Sequence, residues 1–73
     1  MSETKMEAEI SGVVSKIEKE IGEKVVEGDI LLFCEAMKME IPLIASRDGI
    51  IKEIKVKEGE VVEEGQTLVI LSI

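Results

Sequence analysis

Lys38 stands in the run Glu35-Ala36-Met37-Lys38-Met39-Glu40, an amine framed by two methionines and, outside them, by two carboxylates. The methionines offer apolar area to water while the ammonium between them stays solvated, and a surface of that make-up is one a partner reads. A lysine side chain attacks only once its nitrogen has lost a proton, so nucleophilic chemistry at Lys38 needs a base supplied from outside. The rest of the chain offers no catalytic base, metal site or phosphate loop of its own. Histidine is absent and Cys34 is the single cysteine, which removes zinc sites built from several Cys or His ligands and any intrachain disulfide. Inside Leu31-Leu32-Phe33-Cys34 that cysteine reads as a small buried hydrophobe rather than a reactive thiol.

The 73 residues make one small domain, 1–73, and a chain of this size buries roughly 60% of its unfolded surface. Its core is built from Ile, Val and Leu, with Phe33 the only aromatic residue, and branched aliphatics favour strands. A formal charge of -7 repels phosphate backbones and anionic lipid, so neither nucleic acid nor a membrane surface is an expected partner. No stretch reaches the roughly 20 apolar residues of a membrane span. Met1 to Glu9 lacks the basic start and apolar run of a signal peptide. The expectation is a soluble, cytoplasmic, monomeric domain whose residues 1–6 are flexible.

An internal repeat organises the remainder. Gly12, Gly22 and Gly28 recur as Gly49, Gly59 and Gly65 at a constant offset of 37, and Ile17/Ile54, Glu23/Glu60, Val25/Val62, Glu27/Glu64 and Leu31/Leu68 keep the same offset. Two copies are too few for a solenoid, so the prediction is one closed domain with pseudo-twofold symmetry, its halves spanning about 7–36 and 41–73. Ile17, Ile21 and Val25 are spaced for one face of a helix, but their counterparts Ile54, Glu58 and Val62 break the stripe. Ile54-Lys55-Val56-Lys57 alternates with the period of a strand instead.

Ile30-Leu31-Leu32-Phe33 and the run from Thr67 to Ile73 read as strands wrapped around a core, and each Gly-Glu-x-Val-x-Glu-Gly places turns around a very short strand. The fold class is therefore all-β, an antiparallel sandwich or flattened barrel. Pro42 has no N–H for a ladder, which assigns it to an edge or a strand start.

Lys38 falls at the joint between the halves, within a predicted hairpin over 35–40. In a pseudo-twofold domain that joint is the counterpart of the free ends, so the lysine projects from the end opposite the termini. A two-residue turn at Met37-Lys38 contradicts local preference, which is for Asn-Gly or Asp-Gly with positive φ. Its placement rests on the repeat.

From about Glu7 to Ile73 the chain resembles the biotinyl/lipoyl attachment domain family, whose modified lysine matches Lys38 within Ala36-Met37-Lys38-Met39. Lipoyl domains more often carry Asp-Lys-Ala at this turn, so the resemblance favours biotin, with lipoate as the alternative. The family's Ala-Pro-Met-Pro-Gly appears as Ala8-Glu9-Ile10-Ser11-Gly12, without either proline, and its Ala-Pro-x-Asp-Gly as Ala45-Ser46-Arg47-Asp48-Gly49, without its one. The spacing between repeats leaves no room for the protruding thumb of some acetyl-CoA carboxylase carriers.

The resemblance implies a flattened β-barrel of two four-stranded antiparallel sheets with quasi-twofold symmetry. It further implies a carrier that is not itself an enzyme: a biotin protein ligase joins biotin to Lys38, and the loaded domain moves carboxylate between biotin carboxylase and carboxyltransferase sites. Ala36, Met37 and Met39 complete the attachment motif as the surface the ligase reads, while Glu35 and Glu40 add charge discrimination. Small stand-alone attachment proteins look like this chain, and so does an excised carrier domain of a larger subunit.

Overall fold

Aliphatic runs separated by glycine-marked turns become strands. In the computed structural model, which describes residues 2–73, they are β1 (Glu3–Glu7), β2 (Gly12–Ile17), β3 (Lys24–Val25), β4 (Ile30–Ala36), β5 (Met39–Ile44), β6 (Gly49–Ile54), β7 (Val61–Val62) and β8 (Thr67–Ser72). No helix occurs among the described residues; the segment with helical spacing runs through Ile17 as strand and then turns. Two four-stranded sheets result, ordered β1-β8-β6-β3 and β5-β4-β2-β7, and all their pairings are antiparallel. No strand ladder joins one sheet to the other among the described residues. Within each sheet the edge ladder continues past its strands, through Ala8 N to Gln66 O at 2.9 Å beyond β1–β8 and its counterpart Ala45 N to Asp29 O at 2.8 Å beyond β5–β4.

The repeat governs the pairing register as well as the sequence. Glu3 lies opposite Ser72 and Met6 opposite Val69; the same offset puts Glu40 opposite Glu35 and Leu43 opposite Leu32. The repeat therefore begins at Glu3, earlier than expected, and the flexible leader over 1–6 gives way from Glu3 onward to an edge strand paired with β8. Met1 lies outside the described residues. Met6 shows why β1 forms: it is the one apolar residue of the strand, and it enters the core.

The core draws evenly on both halves. Val14/Ile51, Val25/Val62, Leu31/Leu68 and Leu32/Val69 are counterparts, and all eight are almost fully buried. Burying each such side chain contributes roughly 1.5–3 kcal/mol. Among the described residues no charged or polar residue is buried with them. Pro42 occupies the edge strand β5, opposite Phe33 of β4, where its missing N–H faces away from the sheet.

Among the described residues β4 and β5 are the only consecutive strands that pair with each other, so their connection is the one hairpin of the fold. Ile73 N donates to Ser2 O at 3.0 Å, which brings both ends of the described chain together at one end of the molecule. β1 runs away from that point, and only Ala8 to Ser11 separate its far end from Gly12, which abuts Glu35 and Ala36 at the hairpin base. The domain measures 36 × 17 × 17 Å, with the hairpin at the end opposite the termini.

Candidate functional site: the attachment hairpin

Ala36 pairs with Met39, leaving Met37 and Lys38 as a two-residue loop. Both adopt positive φ, 53° at Met37 and 63° at Lys38, the pattern of a type I′ turn. That turn matches the twist of the flanking strands, which is why a two-residue connection selects it even without asparagine or glycine. Non-glycine residues held in this region cost roughly 1–2 kcal/mol each. The six paired positions from Ile30/Ile44 to Ala36/Met39 sustain the cost.

The strained tip displays its side chains. Met37 is 84% exposed and Met39 63%, and Lys38 between them is exposed too. Among the described residues Lys38 enters no hydrogen bond or ion pair, so its amine is free to meet an incoming group. Ala36, by contrast, is 7% exposed and faces inward. Its share in the motif is to pack against Gly12 at the hairpin base: a Cβ built on Gly12 would lie 3.2 Å from that of Ala36.

Glu35 and Glu40 stand directly opposite each other at the base, both exposed. Like charges in facing ladder positions repel. Ser15, a residue that sequence reading passed over, holds Glu40: its Oγ lies 3.3 Å from Glu40 Oε2 and 3.2 Å from the Phe33 carbonyl oxygen. The residues predicted from the motif thus converge on one end of the molecule, with Lys38 at the tip, the methionines beside it and the carboxylates beneath.

Cys34, one pair below Glu35, is buried at 5% exposure, and burial pushes its thiol pKa up. It belongs to the core. Among the described residues no group of three or more His, Cys, Asp or Glu is placed to hold a metal ion, and no helix is long and apolar enough to cross a membrane.

Comparison with known proteins agrees with this geometry. Residues 6–71 match the biotin/lipoyl family model, described as biotin-requiring enzyme. A biotin/lipoyl attachment protein of Bacillus subtilis is 42% identical over 64 residues, covering 88% of each chain. Pyruvate carboxylase of the same organism is 44% identical over 61 residues, which cover 84% of this chain and 5% of the enzyme. The crystal structure of Kluyveromyces lactis urea carboxylase superposes with a TM-score of 0.94 at 28% identity, over 99% of this chain and 6% of that one. With the hairpin lysine in place and the family model spanning both sheets, the chain belongs to the biotin/lipoyl attachment domain family.

Proposed function

We infer that this domain is a carrier for covalent biotin, attached through Nζ of Lys38. The observation that carries the reading is the display of that amine: it is exposed, unengaged, and set by two positive-φ residues at the tip of the only hairpin among the described residues. The site fits a group joined through an amide, since the bond needs an accessible amine and no surrounding pocket. Lys38, deprotonated by a base of a biotin protein ligase, attacks the adenylate-activated carboxyl; the amide C–N bond forms as AMP departs, and the proton leaves with the ligase base. Met37 and Met39 give the ligase an apolar surface that separates Lys38 from the other lysines. Bound biotin supplies a ureido nitrogen that holds a carboxyl group for transfer.

The chain's own task is mechanical. A type I′ turn on a six-pair ladder keeps the mount pointing outward, and tethering replaces a free reactant with a locally concentrated one. The relatives that are carboxylases support a biotin carboxylase and a carboxyltransferase as the two stations the arm serves. The transfer chemistry belongs to those partners and the domain acts without catalysing it. Intact mass after incubation with a biotin protein ligase, biotin and MgATP tests the reading. One biotinyl increment on Lys38 is expected, and a chain that stays unmodified or accepts only lipoate overturns it.

A further inference from the structure

The duplication lets each feature beside Lys38 be compared with a counterpart that has no attachment duty. β2 and β6 each carry a bulge, between Val14 and Lys16 and between Ile51 and Glu53, so the bulged residues are Ser15 and Lys52, which are counterparts. A bulge re-aims its side chain. Both reach across the intervening strand to a glutamate near the start of the edge strand: Lys52 Nζ pairs with Glu3, and Ser15 Oγ meets Glu40 Oε2 at 3.3 Å.

The lever is the same and the electrostatics differ. At Glu3 the ammonium of Lys52 neutralises the carboxylate and holds its pKa below the ordinary range. At Glu40 the hydroxyl supplies no charge and a single proton, which the Phe33 carbonyl oxygen shares. A second divergence reinforces the first: the residue opposite Glu3 is Ser72, whereas the residue opposite Glu40 is Glu35. Facing like charges cost stability. At the end away from Lys38 a lysine at the bulge gives the edge-strand glutamate a cationic partner, whereas beside the hairpin Glu40 has none among the described residues.

We propose that Ser15 is a positioning residue for recognition of Lys38: its hydroxyl fixes the Glu40 side chain as an acceptor for a cationic side chain on the enzyme that modifies Lys38. The proposal rests on the biotin-carrier reading. Only Met39 separates Glu40 from Lys38, so a cation docked on Glu40 registers the hairpin in the modifying site while Lys38 remains the nucleophile.

Steady-state biotinylation by a biotin protein ligase tests it, with the carrier as varied substrate. Glu40→Gln is expected to raise the KM for carrier about tenfold with kcat nearly unchanged, the loss of one charge-assisted hydrogen bond. Ser15→Ala raises KM about threefold, the range for a neutral hydrogen bond, and Ser15→Thr restores it. Ser15→Lys reproduces the Lys52–Glu3 arrangement, so KM rises as in Glu40→Gln while thermal stability holds or improves. That split between recognition and stability is one a merely structural serine does not produce. Wild-type KM in both Ser15→Lys and Glu40→Gln overturns the proposal and leaves the carrier reading intact; absence of biotin from the wild-type chain overturns the carrier reading itself.

Discussion

Gly12 approaches Glu35 so closely that a Cβ built on it would lie 2.5 Å from the Glu35 carbonyl oxygen. The contact seats β2 against the base of the attachment hairpin. Its counterpart, Gly49, stands in the same relation to the Ser72 carbonyl at 2.7 Å, at the other end of the domain. Gly12→Ala forces backbone apart and is expected to cost about 1–3 kcal/mol, as overpacking does. Gly49→Ala costs a similar amount. The two differ in function: Gly12→Ala shifts the hairpin and slows biotinylation, and Gly49→Ala leaves the rate per folded molecule unchanged. Urea melts and ligase assays on the pair check this, and equal labelling rates would show that the hairpin base is not set by Gly12.

The repeat was legible because its marks are chemical as well as spatial. Glu23 and Glu60 recur beside Gly22 and Gly59 since each carboxylate accepts a hydrogen bond from the backbone N–H three residues earlier, at Glu20 and Lys57. Lys38 was legible through its methionines and its place between the copies. β1 was not, because Glu3-Thr4-Lys5-Met6-Glu7 has a single apolar residue and its pairing is decided by β8, sixty or more positions away. Ser15 was hidden for a related reason. A bulge shifts which residue points where by one position, and nothing in the spacing of β2 announces that shift.

Lys38→Arg keeps a positive charge at the hairpin tip and removes the acylable amine. Because Lys38 makes no hydrogen bond or ion pair among the described residues, stability should change by less than about 0.5 kcal/mol, the usual range for an exposed site. Biotin incorporation should vanish. Retained label on the arginine variant, read by streptavidin blot and peptide mass, would move the attachment to another lysine.

Met37 joins strain to display. Its φ of 53° suits asparagine better than methionine, so Met37→Asn should stabilise the domain by about 0.5–1 kcal/mol. The same change removes apolar surface beside Lys38 and is expected to lower kcat/KM for biotinylation several-fold, the familiar exchange of stability for function. Thermal melts and ligase kinetics on one preparation measure both. A variant that is stabilised and labelled at the wild-type rate would assign the methionine no part in recognition.

Cys34 gives the stability curve an alkaline limb. Burial raises its folded pKa, whereas the unfolded thiol ionises near its ordinary value of about 8.5. Below that value both states hold the proton and stability is independent of this group. As pH climbs past it the unfolded chain sheds its proton first, so stability falls until the folded pKa is reached. Urea midpoints compared between pH 7 and pH 9.5 should therefore drop more for the wild type than for Cys34→Ala, which starts lower because of the volume lost from the core. At pH 8 the folded thiol should also react with a disulfide reagent far more slowly than the unfolded one. Matching pH slopes in the two proteins, or fast labelling of the folded chain, would mean that the space beneath the hairpin opens to water.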